Sequence, residues 1–249
     1  MRALSGYRLH LLKLLHRVAI VANVLFEIMN GRLERGSMDM AADVAKTLFY
    51  FADPMCSWCW GFSPVMRAIA GIIGDRASVR LVVGGLRAGQ TRPLDAKAKA
   101  VLRHHWEEVE QTTGQGFSFS FFERKGFVYD TEPACRAMVV MRSFAPDATL
   151  AYLEAVHRAF YLGNRDVSDP SVLVDIARKF TLDPAAFIAL FEAPEIIEAT
   201  LADFRAAASA GVTGFPTVIL RNKEGFSLLT AGYQPFEALK PQLDRWLGA

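Results

Sequence analysis

The sequence predicts an α/β fold laid out as βαβ, a large all-helical insertion, then ββα. Three observations carry this. Residues 46–83 read as strand, helix, strand. Residues 86–210 carry helical periodicity that restarts at proline-led positions. After residue 216 come two short β-favouring runs and one last helical stretch.

The first element, Lys46-Thr47-Leu48-Phe49-Tyr50-Phe51, is short, aromatic and apolar, as a buried strand is. Asp53-Pro54 ends it. A helix follows from Cys56 or Trp58 to about Ile73, with Val65, Met66, Ile69, Ile72 and Ile73 on its apolar positions. Gly74-Asp75 breaks the chain, and Val79 to Val83 forms a second strand that stops at Gly84-Gly85. A strand–helix–strand unit of this kind pairs its strands in parallel.

Within the insertion, Pro133, Pro146, Pro170 and Pro184 each suit a first helical turn, where the missing N–H is no loss. Thr131, Ser168 and Asp183 are the expected caps. Leu150, Leu153, Val156 and Phe160 recur at helical spacing, as do Val172, Leu173, Ile176 and Phe180. A Gly/Ser/Phe loop from Gly116 to Phe122 interrupts the region, and Gly211 stops its last helix. Thr217 to Leu220 and Ser227 to Ala231 then form a hairpin, and a helix runs from about Pro235 to Leu247.

Composition narrows the function. With 52% hydrophobic and 22% charged residues, the 249-residue chain is not a disordered one. Net charge is +2, but residues 1–37 hold six Lys/Arg against two acids and the rest holds 22 against 24. A slightly acidic body gives no footprint for nucleic acid. No run reaches the roughly 18–20 apolar residues of a membrane-spanning helix. Residues 1–37 imitate a signal peptide, basic and then apolar, without a clear cleavage site. They are read as an extension outside the fold, with Met38 or Met40 as the working start and an export or membrane-surface signal, or a docked helix, as the alternatives. The domain reading is therefore 38–85 with 211–249, and 86–210 as a helical subdomain. The expected compartment is the cytoplasm, with the periplasm as the alternative.

Three cysteines are too few for a disulfide scaffold, but Cys56 and Cys59 form one C-x-x-C between a strand and a helix. At a helix N-terminus, unpaired amides and the helix dipole stabilise a thiolate, the attacking species in disulfide exchange. Cys59 lies one turn on and is placed to resolve the mixed disulfide. A zinc site needs a second ligand pair. Cys135, His104, His105 and His157 do not supply one, so neither metal nor other cofactor is expected. Packed, inert cysteines are the plain alternative.

The second element is Gly211-Val212-Thr213-Gly214-Phe215-Pro216-Thr217. A proline directly before a strand suits a cis bond. Such a bond here turns the Phe215 backbone towards the thiols, where an incoming peptide can pair with it as an added strand.

On these residues the chain resembles the DsbA-like members of the thioredoxin superfamily, and within them the FrnE-like branch of predicted protein-disulfide isomerases. The resemblance is carried by Asp53-Pro54-Met55-Cys56-Ser57-Trp58-Cys59-Trp60-Gly61, Gly84-Gly85-Leu86-Arg87, Thr131-Glu132-Pro133-Ala134-Cys135-Arg136-Ala137 and the 211–217 segment. It spans about residues 46–247. It implies a thioredoxin-like fold with a helical insertion, Cys56 as nucleophile, Cys59 as resolving thiol and Pro216 as the cis proline beside them. Ser57-Trp58 replaces the Pro-His dipeptide of the best-known periplasmic members, which argues against strongly oxidising behaviour.

The expected function is thiol–disulfide exchange, oxidoreductase or isomerase, on protein or peptide disulfides. Glutathione and a thioredoxin-type protein are the candidate reductants. Two rivals stand beside it: a glutathione-dependent isomerase of the 2-hydroxychromene-2-carboxylate type, and a non-catalytic peptide-binding module. Ser57, Trp58, Trp60, Phe215 and Thr217 are the expected substrate contacts, and Trp58, Trp60 and Phe62 suit either the rim of a peptide groove or the core. Phe117, Phe119, Phe121 and Phe122 suggest either a lid or a packed loop. Cys135 reads as buried and inert, with a third redox thiol as the alternative, and Asp53 and Asp130 as possible proton carriers.

Overall fold

A computed structural model of the protein describes residues 46–180 and 182–248. The extension 1–37 lies outside the described residues. The elements, in order, are β1 (Thr47–Ala52), α1 (Ser57–Ile73), β2 (Ser78–Val83), α2 (Ala96–Thr113), α3 (Glu132–Phe144), α4 (Thr149–Tyr161), α5 (Pro170–Ala177), α6 (Pro184–Phe191), α7 (Pro194–Ser209), β3 (Thr217–Asn222), β4 (Gly225–Ala231) and α8 (Phe236–Leu247).

The four strands form one sheet in the order β2-β1-β3-β4. β1 and β2 are parallel, with Thr47 opposite Ser78 and Ala52 opposite Val83. β3 runs antiparallel to both β1 and β4. This is the thioredoxin-like α/β arrangement, with six helices between β2 and β3.

All six residues of β1 are buried, because the strand is central and covered on both faces. Leu48, Tyr50 and Ala52 face the main core with α1, α8 and the inserted helices. Phe49 and Phe51 face a smaller core closed by Ala206, Ala207 and Ala210 of α7. Alternation along a strand divides one hydrophobic run between two layers.

The insertion is tied to the sheet by a partly buried ion pair. Arg142 of α3 donates to the Leu81 carbonyl and to Asp203 of α7, both at 2.6 Å, and Asp203 accepts from the Val83 amide at 3.0 Å. These groups belong to β2, the edge strand.

Local signals place most boundaries. Pro170 and Pro184 open α5 and α6, and Pro194 opens α7 without having been singled out. Asp183 caps α6 by accepting from the Ala186 amide at 3.0 Å. The cap of α5 is Asp169, not Ser168: its carboxylate reaches the Ser171 amide at 2.8 Å. Thr131 stands at the N-cap of α3 but makes no capping bond, because its hydroxyl is engaged elsewhere.

Candidate active site

β1 ends at the turn Asp53-Pro54-Met55-Cys56. The Cys56 amide donates to the Asp53 carbonyl at 3.0 Å, and the Cys56 carbonyl accepts from the Trp60 amide at 3.1 Å. Cys56 is thereby the N-cap of α1, with extended backbone (φ −90°, ψ 117°). Unpaired amides and the positive end of the helix dipole lie at this position. The sulfur makes no capping bond to those amides, contrary to the contact expected from its place in the sequence. Its thiol instead donates to the Phe215 carbonyl, 3.6 Å away.

That carbonyl is held from three sides. The Phe215–Pro216 bond is cis. Thr217, at the start of β3, donates its hydroxyl to the Gly214 carbonyl at 2.8 Å. The Phe215 ring lies directly over Gly84, where a Cβ would come within 1.9 Å of ring carbon Cζ. Only glycine permits that approach.

The predicted contacts divide. Cys56 is 6% exposed, and Ser57 and Thr217 are also nearly closed off. Trp58 is half-buried, its ring 6.1 Å from that of Tyr233. Phe215 is half-buried as well. Trp60 is 1% exposed and Phe62 is fully buried, so neither rims a groove. The Trp60 indole instead donates to the Gly116 carbonyl at 3.0 Å and stacks on Tyr161. Helical rotation after Cys59 carries both side chains inward.

Beneath Cys56 lies a buried polar layer. Cys59 is fully buried, and burial, followed by the adjacent Cys56 sulfur, pushes its thiol well above the usual range. The Asp53 carboxylate accepts from the Met55 amide at 2.8 Å, the Leu86 amide at 2.7 Å and the Cys135 thiol at 3.4 Å, with the Thr131 hydroxyl as a further partner. Burial raises its pKa, and these four donors only partly offset the rise. Tyr129 donates to the Met55 carbonyl. His157 of α4 contacts the Ser63 hydroxyl at 3.1 Å, and that hydroxyl donates to the Cys59 carbonyl at 3.2 Å. Burial lowers the His157 pKa to about 3, so the ring is neutral.

Tyr129, Ser63 and His157 carried no local signal in the sequence. The segments 53–61, 84–87 and 131–137, quoted for the family resemblance, contain the remaining members of this layer. The phenylalanines of residues 117–122 pack around Trp106, with Phe117, Phe121 and Phe122 centroids within 5.0 Å of it. They form a packed cluster and not a lid. Asp130 accepts from the Gly89 and Glu132 amides, a loop-fastening role. His104 and His105 are exposed. Among the described residues, no group of His, Cys, Asp and Glu is arranged to hold a metal ion, and no helix is long and apolar enough to cross a membrane.

Residues 47–244 match the family described as DSBA-like thioredoxin domain. Among solved structures, the chain is similar to a candidate protein disulfide isomerase from Nitrosomonas europaea. Identity is 38%, the TM-score 0.77, and the match covers 82% of this chain and 98% of that one. It is also similar to the cytosolic disulfide reductase DsbM from Pseudomonas aeruginosa, solved with GSH, at 27% identity and TM-score 0.63. That match covers 81% of this chain and 96% of the other. The ClpXP adapter protein SpxH of Bacillus subtilis is 22% identical over 71% of this chain, which spans 58% of that relative's length.

Proposed function

The chain belongs to the DSBA-like thioredoxin domain family, and from that premise we propose that it exchanges disulfides with protein or peptide substrates through Cys56 and Cys59. The observation that carries this is the position of the Cys56 sulfur. It sits at the opening of α1, 3.6 Å from the carbonyl that precedes the cis proline, with Cys59 one turn behind. Pro216 and Phe215 present backbone beside the thiol, and Ser57, Trp58 and Thr217 border the approach.

In the reducing direction, the Cys56 thiolate attacks one sulfur of a substrate disulfide. The substrate S–S bond breaks, a Cys56–substrate disulfide forms, and the departing sulfur leaves as a thiolate that takes up a proton. Cys59 then gives its proton to Asp53 and attacks the Cys56 sulfur. The mixed disulfide breaks, the second substrate sulfur leaves and is protonated, and the protein retains a Cys56–Cys59 disulfide. Two electrons have passed to the substrate. Asp53 suits the proton step because burial raises the affinity of its carboxyl for a proton. A thiol reductant, glutathione or a thioredoxin-type protein, restores the dithiol. The reverse sequence donates a disulfide.

We place the chain in the FrnE-like branch on its quoted motifs. The Pseudomonas aeruginosa relative is a cytosolic disulfide reductase. That favours a reducing compartment and net reduction or isomerisation over oxidation. A second reading is favoured by the SpxH relatives, whose name is that of an adapter: the same surface binds a polypeptide without turnover.

Insulin reduction by wild type, Cys56→Ser and Cys59→Ser separates the two. Exchange predicts a loss of about 100-fold or more for Cys56→Ser and trapped mixed disulfides for Cys59→Ser, read by intact mass. Turnover unchanged in Cys56→Ser refutes the exchange role.

A further inference from the structure

The loop after β2 carries a cation that the exchange chemistry above does not use. Its backbone is fastened to the site: Gly84 donates to the Ala52 carbonyl at 2.9 Å and Leu86 to Asp53 at 2.7 Å. Further on, Arg87 donates to the Thr131 hydroxyl at 3.1 Å and Gly89 to Asp130 at 2.9 Å. The Arg87 guanidinium lies over the Tyr129 ring, 5.2 Å from its centroid. Tyr129 in turn donates to the carbonyl of Met55, the residue before Cys56. So Arg87 is positioned at the rim of the thiol site through one ring and one hydrogen bond.

Two arginines of α3, by contrast, are neutralised. Arg136 meets Glu132 at 3.0 Å and Arg142 meets Asp203 at 2.6 Å. Among the described residues, no carboxylate oxygen lies within 4.0 Å of the Arg87 guanidinium. The nearby acids are committed: Asp53 holds four donors, and one Asp130 oxygen takes two amides. Arg87 is half-buried, so its fork is partly desolvated yet reachable. A guanidinium placed over an aromatic ring, with no carboxylate paired to it, is a preorganised receptor for a carboxylate.

We propose that Arg87 binds a carboxylate of a small thiol substrate of the glutathione type while that substrate's sulfur reacts at Cys56. This rests on the disulfide exchange proposed above. A cysteine-bearing tripeptide with a carboxylate on either side of its sulfur matches the two features the rim offers: a reacting thiol and, one ring away, an unpaired fork. A protein substrate presents a carboxylate near its disulfide only by chance of sequence, which is why the small thiol is preferred.

The test measures initial exchange rates with three disulfides: glutathione disulfide, the same molecule with its carboxylates esterified, and uncharged hydroxyethyl disulfide. Wild type is expected to prefer the free acid over the ester by about tenfold, the scale of one charge-assisted bidentate contact. Arg87→Gln should lose that factor on glutathione disulfide, chiefly through KM, and show no preference between acid and ester. Arg87→Lys should keep part of the preference, because it keeps charge but not the fork. High salt should compress the wild-type preference. A preference that survives in Arg87→Gln overturns the assignment. So does an equal loss on all three disulfides, which marks Arg87 as structural. If wild type reduces insulin but exchanges none of the three, this inference falls and protein disulfide exchange stands; if it does neither, the exchange itself is refuted.

Discussion

Cys56 and Cys135 occupy similar places. Cys56 is the N-cap of α1, and Cys135 lies in the first turn of α3. Both lean on Asp53, one through its backbone amide and one through its sulfur. The difference is what each sulfur faces. Cys135 is fully enclosed, and burial, followed by the Asp53 charge, pushes its thiol well above the usual range. Cys56 keeps a window to solvent and looks at the Phe215 carbonyl. Both stand close to a helix N-terminus, so that position alone does not separate the proposed nucleophile from the enclosed cysteine. Access, and a backbone partner beside the sulfur, do separate them.

The sharpest way to break this contrast is competitive alkylation of the native protein, read by peptide mass. Cys56 should react at least about 100-fold faster than Cys135, whose modification requires local opening. Equal rates would remove the contrast altogether.

Asp53, which the two sites share, gives the next largest effect. Asp53→Asn should slow insulin reduction by about tenfold or more, the low end for losing a proton carrier or below it. Stability carries a separate signature. The folded-state pKa of Asp53 is raised, so its contribution favours folding at low pH and is lost as pH rises through the raised value. Melting curves should therefore show Asp53→Asn gaining on wild type as pH rises above the ordinary carboxylate range.

His157 acts in the opposite direction. Its folded-state pKa is depressed to about 3, so stability present above about pH 6.5 is lost as pH falls towards that value. His157→Gln should remove roughly 1.4 kcal/mol of destabilisation per pH unit below 6.5. An unchanged acid slope excludes the ring as its source. The smallest effect is expected for Cys135→Ala, about 1–2 kcal/mol of stability from a modest cavity and a lost donor to Asp53. Insulin turnover should stay within about threefold, against the collapse expected for Cys56→Ser.

The sequence made the sheet elements and the C-x-x-C readable because their signals are local. Aromatic strand runs, a glycine pair after β2 and prolines at helix starts each act over a few residues. The cis Phe215–Pro216 bond also had a local cue in the proline placed just ahead of β3. The buried layer had none. Tyr129 reaches Met55 across 74 positions and Cys135 reaches Asp53 across 82, distances that no periodicity encodes. Trp60 and Phe62 are undecided between groove and core in the sequence for a related reason. Aromatics next to a nucleophile invite a binding role, but α1 packs against α4 and α8, and its rotation turns these rings into the core.

The Arg142–Asp203 clamp on β2 has a consequence for association between molecules. An edge strand normally offers its free carbonyls and amides to any passing chain, and so invites fibril growth or strand swapping. On β2, the Leu81 carbonyl and the Val83 amide are already occupied. Intermolecular lengthening of this sheet is thereby discouraged on the β2 side; at the opposite edge, β4 has its Leu228 carbonyl occupied by Gln242 in the same way.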